Sequence, residues 1–363
     1  MSVINIIAAV LILALCVLIH ELGHFLSALA LGIPVEEFSI GFGPKLCQFK
    51  FKGIKYSLRL IFLGGYVRYY MDESDAVGRE DSDIDKIVGD AGDKSYMKQP
   101  AWKRFICAFC GPFMNAVLAF VATIIIYSMI GNPVVVPRVA EYSTDSAAYA
   151  AGIQAGDIIV SVNGQDVSYD EAGTQRVRDA IAASDGQPID MVVERGGEQV
   201  SLSITPAYSE SAGRYMIGTT FGTAYSPCSP FEAVSRAGRF IVQFTGEMYK
   251  SLGSIFTSKQ PITDQLTGPV GTVQIISEQV SKGGMETLQI LMMISLNLGI
   301  LNLLPIPGLD GFKLLLLVIE MIRKKPVPPK REAMISLIGL ALLFGLMIFA
   351  TYNDVVRLMT GAL

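Results

Sequence analysis

Hydrophobic side chains in this sequence arrive in long unbroken blocks. Residues 2 to 19, 105 to 131, 287 to 309 and 333 to 353 are uncharged and mainly apolar, and each fits the roughly 20 residues that a membrane-spanning helix needs. No Lys or Arg precedes the first block, and its apolar stretch is long for a signal peptide, so it reads as a retained span within residues 1 to 31. The intervening segments have other periods. Residues 36 to 70 alternate apolar and polar positions with glycine punctuation, which predicts short strands joined by turns. Their aromatic content suits a sheet lying at, or dipping into, the cytoplasmic side of a membrane. Residues 71 to 100 form a solvated acidic loop, with nine carboxylates between 72 and 95. A second span covers 101 to 131. Residues 134 to 207 change to the character of a small soluble α/β unit, with Asn-Gly turn chemistry and a helical stretch near 171 to 183. Residues 229 to 258 show apolar positions at helical spacing with charges between them, an amphipathic helix resting on the outer membrane surface or on the protein. A third membrane region spans 286 to 322 and a fourth 333 to 354.

Composition agrees with this pattern: 51% of the 363 residues are hydrophobic and 17% charged, too apolar for an ordinary soluble chain. Basic residues then set the orientation. Twelve Lys and Arg lie between the first and second blocks and none before the first, and five crowd the connection from 323 to 331. Positive loops stay cytoplasmic, so the segment from about 132 to 285 and both termini fall outside. A net charge of -4 with no basic stripe excludes a nucleic-acid partner. Five cysteines without paired spacing give no disulfide framework, and Cys107 and Cys110, on one predicted span, read as packing residues.

Against that background stands the chemistry of "HELGH" at residues 20 to 24. An ionisable group at bilayer depth costs a few kcal/mol, so such groups face cavities or each other and mark functional sites. Positions four apart share a helix face, so His20 and His24 can offer two imidazoles to one zinc ion while Glu21 points beside them toward a water. The chain has two histidines in all, and chance placement of this pattern is roughly one in 4,000. Zinc polarises a carbonyl and acidifies water, and an adjacent carboxylate can take and return a proton. A catalytic zinc usually keeps three protein ligands. With no histidine left, a carboxylate or thiolate must be the third. Asp310 is the only charge between Glu286 and Lys313, and Pro305, Pro307 and Gly308 should break the helix just before it, opening backbone onto a protein cavity. Depth agrees: His20 lies about 25 Å along a helix from Val3, near the cytoplasmic end of a ~30 Å core, and Asp310 follows a span entered from outside.

"HELGH" together with "NLLPIPGLDG" resembles the site-2 protease family of intramembrane zinc metalloproteases. "GFGPKL" and "LGGYVR" are similar to the family's membrane-associated β segment, "WKRFICAFCGPFMN" to its second-span signature and "LTGPVG", 266 to 271, to the segment before its third span. "AGIQAGDIIVSVNGQDV" resembles the central motif of a PDZ domain, as in the bacterial PDZ-containing branch. The resemblance implies zinc ligands His20, His24 and Asp310, with Glu21 as catalytic acid/base. It implies Asn302 as a nearby residue orienting the site or substrate, and Asn297 and Asn115 as further candidates. Two positions depart from the pattern: Cys110 stands where alanine is common before Gly-Pro, and Phe312 where a second glycine is frequent.

The expectation is a polytopic α-helical membrane protein with about four transmembrane helices, a membrane-associated β segment and an extracytoplasmic α/β PDZ domain. It would be a zinc endopeptidase in a bacterial cytoplasmic membrane that cleaves single-span membrane proteins or membrane-retained peptides, in the manner of anti-sigma factors or signal-peptide remnants. The PDZ groove would bind a peptide or exclude intact substrates. The rivals are a zinc-binding transporter that does not hydrolyse and a PDZ adaptor whose metal centre is a relic.

Overall fold

The computed structural model describes residues 2–70, 95–210, 212–255 and 268–360. Most of the acidic loop, and the start of "LTGPVG", lie outside the described residues. The chain forms two compact units, one from Met1–Ile126 with Val234–Leu363 and one from Tyr127–Ala233.

The first unit is helical. Helix α1 (Val3–Leu31) runs 29 residues, or about 44 Å, so "HELGH" lies inside it. Ser2 caps its start by accepting from the Ile4 N–H, and Gly32, at φ +71, ends it in the left-handed region. Lys103 donates to the Leu31 carbonyl (2.9 Å), placing a cation on the negative end of the helix. Helices α1, α2 (Ala101–Ile130), α7 (Gly284–Asn302) and α9 (Pro329–Thr360) each contain a segment long and apolar enough to cross a membrane. Their surfaces reverse the soluble pattern: Ile7, Leu11, Val121, Ile125, Leu342 and Ile348 are exposed, whereas Ala9, Ala28, Ala119 and Ala122 are buried. Lipid accepts the large apolar side chains, and small residues let helix backbones approach. At the α1–α2 crossing a Cβ on Gly23 would sit 2.1 Å from the Cys110 carbonyl oxygen, so only glycine fits.

Between α1 and α2 the expected short strands are instead two long ones, β1 (Val35–Phe51) and β2 (Ile54–Tyr69). Their outer halves form a hairpin, Lys45 opposite Arg59 through to Phe51 opposite Ile54. The inner half of β1, Val35–Ile40, lies between Lys55–Leu58 on one side and Gly65–Tyr69 on the other. Gly41 and Gly43, at φ +86 and +82, bend β1 between its halves. The base of this sheet packs on α1 through Phe25, Phe38 and Tyr69, while Leu46, Phe49 and Phe51 on the hairpin, and Leu60 just beyond it, are exposed.

Helix α7 stops at Asn302 and α8 (Asp310–Arg323) starts after seven intervening residues. Pro305, Pro307 and Gly308 (φ +97) fill the break. Gly339 of α9 closes on this turn, where a Cβ would meet the Pro307 carbonyl at 2.1 Å. A helix absent from the sequence reading, α6 (Pro269–Lys282), packs against α1 and α9. Its start is held from another helix: the buried Asp354 carboxylate accepts from the N–H groups of Gly268 (3.1 Å) and Gly271 (2.8 Å). The amphipathic segment is helix α5 (Pro230–Ile255).

The second unit runs past residue 207, where the sequence pattern ended. Strand β3 (Asn132–Tyr142) is followed by the short helix α3 (Ala147–Ala150), β4 (Ile158–Val162), β5 (Gln165–Asp166), helix α4 (Glu171–Ala182), β6 (Ile189–Arg195) and β7 (Glu198–Ile204). A small hairpin, β8 (Ala207–Ser209) with β9 (Arg214–Met216), leads to β10 (Thr219–Ser226). The sheet order is β10-β3-β4-β6-β7 with β5 beside β4. The late strand β10 pairs with the first strand, and its threonine-rich sequence, TTFGTAYS, hides that partnership. Val139, Ile159, Val177, Met191, Val193 and Ile217 belong to the core.

Asp157 of the Gly-Asp turn is 1% exposed and takes both Arg195 Nε and Nη2 at 2.8 Å, plus the Gln154 N–H at 2.9 Å. Burial pushes its carboxyl up, but Arg195 and the Gln154 amide together hold it below the ordinary carboxylate range. A depressed folded-state pKa stabilises the unit above the unfolded value near 4, and that stability is lost as pH falls through the folded value. Asp157→Ala should cost about 2–3 kcal/mol by leaving Arg195 without its carboxylate, with only the Gly152 carbonyl to accept from it. Pulse proteolysis of the full chain should show residues 127 to 233 cleaved first, with the difference from wild type shrinking as the medium is acidified below pH 4.

Candidate active site

Three elements bring the site together. On α1 the helical spacing stacks His20 and His24, both under 9% exposed, with rings edge to face at 4.8 Å. The first turn of α8 supplies Asp310, where the helix N-terminus favours a carboxylate. Gly311 must follow, because a Cβ there would lie 2.3 Å from the Leu303 carbonyl. The result is a triangle: His20 Nε2 to Asp310 Oδ2 is 3.0 Å, His24 Nε2 to Asp310 Oδ2 is 3.3 Å, and the two Nε2 atoms are 3.2 Å apart.

Protons at the other ring nitrogens decide what this triangle is. His24 Nδ1 lies 2.9 Å from the Cys107 carbonyl oxygen, which can only accept, so Nδ1 carries the hydrogen and Nε2 of the neutral ring presents a lone pair. Asn115, fully buried on α2, has Nδ2 3.2 Å from His20 Nδ1 and a buried Oδ1 with no partner. Exchanging the two amide ends, which have the same shape, gives the oxygen a donor: Oδ1 accepts from His20 Nδ1–H, and His20 Nε2 is left with its lone pair. Asp310 Oδ2 is likewise buried without a hydrogen-bond donor. Three electron-rich atoms in contact, with no proton between them, need a cation. Tetrahedral zinc with ligands at 2.0–2.1 Å sets its donor atoms about 3.3 Å apart. The observed edges match, and two imidazoles with one carboxylate are a zinc donor set. Among the described residues this is the one cluster of three such groups close enough to share a metal.

Around the triangle lies a cavity of about 380 Å³. Glu21 lines it beside the histidines, as do Asn302 and Lys313, whose Nζ is 4.8 Å from the Tyr96 ring centre. Asn297 is not among the lining residues, and its Oδ1 is buried without a partner. Gly64, Gly65, Tyr66 and Val67 of β2 form the wall nearest Glu21. The Val67 main-chain amide faces the Glu21 carboxylate, and a Cβ on Gly65 would stand 3.1 Å from Glu21 Cγ.

Several parts of the site were not singled out from the sequence. The Cys107 carbonyl and the Val67 amide are main-chain groups, which no residue type advertises. Gly111 has a signal, the Gly-Pro of "CGPFMN", and a reason: a Cβ there would lie 2.3 Å from His24 Nε2. Cys110 approaches Gly23 through its main chain and does not line the cavity.

Comparison with known proteins agrees with this chemistry. The model of Peptidase family M50 matches residues 8–346. The chain belongs to peptidase family M50, the site-2 proteases. This M50 member is 30% identical over 421 residues to the zinc metalloprotease RasP of Geobacillus kaustophilus, covering 97% of each chain. It is 30% identical over 429 residues to the regulator of sigma-W protease RasP of Bacillus subtilis, covering 99% of this chain and 100% of the relative. Among solved structures, the PDZ domain of an SdrC-like protein from Listeria innocua is similar at 24% identity and a TM-score of 0.21, covering 24% of this chain and 92% of that one. The M50 member is thus a membrane-embedded metallopeptidase, and its metal is zinc.

Gly111→Ala should abolish zinc binding in the purified protein, because the added methyl would lie 2.3 Å from His24 Nε2 and drive the ring out of the triangle. Asn115→Ala should weaken zinc affinity by about 10- to 100-fold, the usual effect of losing the partner that orients a ligating histidine. Metal analysis after dialysis against a graded chelator series reads both.

Proposed function

We propose that this chain cleaves single-span membrane proteins or membrane-retained peptides within the bilayer, as a step of regulated intramembrane proteolysis. His20, His24 and Asp310 hold the zinc, and Glu21 is the acid/base. The observation that carries this reading is the triangle of lone pairs set beside the Glu21 carboxylate in a cavity walled by a sheet edge. Bound there, zinc supplies Lewis acidity toward the scissile carbonyl and the attacking water. Glu21, steered by the Val67 amide, accepts the proton from that water and returns it to the leaving amine nitrogen. Asn302 orients substrate in the cavity, Asn115 orients His20, and Asn297 remains a candidate for a supporting role.

A transmembrane helix hides its amides in its own hydrogen bonds, so a scissile segment must be extended before attack. The Gly64–Val67 edge of β2 offers main-chain groups to an unwound segment by strand addition. The basic loops support a site toward the cytoplasmic leaflet of a bacterial cytoplasmic membrane, with residues 134 to 207 outside. That unit, read as a PDZ domain, would take a peptide in its groove or turn away intact substrates. Substrates already trimmed by another protease, such as anti-sigma factors or signal-peptide remnants, fit a gate of this kind.

Glu21→Gln should retain one zinc per chain and lose cleavage by a factor of about 100 to 10,000. Co-expression of wild type and variant with a panel of tagged single-span proteins checks this: a fragment seen only with the wild type supports proteolysis. Equal activity from the variant would point to zinc binding without hydrolysis.

A further inference from the structure

The Gly64–Val67 edge is held in place by a charge that the mechanism does not use. Arg59 on β2 donates through Nε to Ser39 Oγ (3.0 Å), through Nη1 to the Gly43 carbonyl (2.9 Å), and through Nη2 to Glu37 Oε1 (3.0 Å) and Tyr66 Oη (2.6 Å). Glu37 is 6% exposed and also accepts from Ser57 Oγ at 2.6 Å. One planar guanidinium therefore binds the inner half of β1, the bend after it and the cavity wall at once, a geometry that the point charge of a lysine does not reproduce.

Two lines of contact run from Arg59 to the cavity. Through Gly43 it fixes a bend whose two glycines sit at positive φ and which has little stiffness of its own. Phe42 lies within that bend, stacks on Tyr66 (6.3 Å, 21°) and covers Gly64, where a Cβ would lie 1.9 Å from the Phe42 ring. Through Tyr66, whose ring also lies 5.4 Å from the guanidinium carbon, it fixes the residue following Gly65. Gly64 and Gly65 are thus enclosed between the Phe42 ring and the Glu21 side chain.

We propose that Arg59 is a positioning residue for the peptide-receiving edge: it sets the distance between the Gly64–Val67 main chain and Glu21, and thereby the binding of an extended peptide. The claim rests on the strand-addition reading above, and the experiment separates the two. Two zinc-directed ligands are titrated calorimetrically into the full-length, zinc-loaded protein in detergent. Acetohydroxamate reaches the metal alone, whereas an apolar tripeptide hydroxamate also reaches the edge. Wild type should bind the tripeptide compound at least about 100-fold more tightly, as several main-chain hydrogen bonds would provide. Arg59→Gln should lose about tenfold for the tripeptide compound while its zinc content and acetohydroxamate affinity stay unchanged. Arg59→Lys should recover only part of that loss, and Tyr66→Phe should lose about threefold. Because Arg59→Gln leaves Glu37 buried without its cation, the double variant Glu37→Gln/Arg59→Gln is measured beside it and should show the same selective loss. Equal weakening of both ligands, or loss of zinc, in the double variant would make Arg59 merely structural and overturn the proposal. Full tripeptide affinity in Arg59→Gln would overturn Arg59's role and leave the edge in place. No preference for the tripeptide compound in wild type would overturn the edge reading and Arg59's role with it.

Discussion

Three lone pairs are forced into contact at the centre of this molecule, and the rest of the first unit is arranged to keep them there. His24 Nε2, His20 Nε2 and Asp310 Oδ2 lie within 3.0–3.3 Å of one another, and with both histidines protonated at Nδ1 they have no proton to share. Such a cluster is repulsive until a cation enters, so on the proposed reading packing of α1 against α8 and capture of zinc would be linked events. The link explains why two helices far apart in sequence are fitted so closely around a few glycines. Gly23 admits α2, Gly111 leaves room for the His24 nitrogen, and Gly311 lets the turn after α7 close on Asp310.

In lipid the apolar faces of these helices gain little from meeting each other, since the acyl chains are as apolar as they are. Close backbone approach and polar contacts must supply the cohesion. Ser295 on α7 donates to the Asn115 carbonyl on α2, and Asn115 reaches His20 on α1, so one chain of bonds crosses three helices and ends at a candidate ligand. Arg104 on α2 pairs with Glu320 on α8, tying the helix that carries Asp310 to the helix whose carbonyl orients His24. Lys103, the neighbour of Arg104, finishes α1. Cohesion and site geometry are therefore carried by the same few polar residues.

What could be read from the sequence follows from which groups announce themselves by type. The two histidines, Glu21 and Asp310 were legible because charge and imidazole are conspicuous in apolar runs, and the Pro-Ile-Pro-Gly turn before Asp310 because proline forbids the helix. The strands were less so. Bends at Gly41 and Gly43 leave β1 a single element whose halves have different neighbours, which alternation alone cannot reveal. Helix α6 was missed because its mixed composition suits neither a span nor a clear surface helix, and the buried carboxylate that starts it, Asp354, comes from α9. Strand β10 was missed because threonines obscure its pairing with β3, some ninety residues earlier. Main-chain contributors such as the Cys107 carbonyl lie beyond any reading by residue type.

The wall nearest Glu21 carries a further constraint. A peptide unwound from a helix in the bilayer leaves amides that hydrocarbon cannot satisfy, each costing several kcal/mol. On the proposed reading the β2 edge replaces those bonds, and it can do so beside Glu21 only because residues 64 and 65 have no side chains: a methyl on Gly65 would press on Glu21, and one on Gly64 would strike Phe42. Recognition by main chain is indifferent to most side chains. Selectivity would then depend on which segments can be extended and delivered to the edge, and less on a pocket matched to one residue. On that reading a gate outside the membrane and a rigid edge inside it would be two answers to that one demand, the first deciding which chains arrive and the second how they lie when they do.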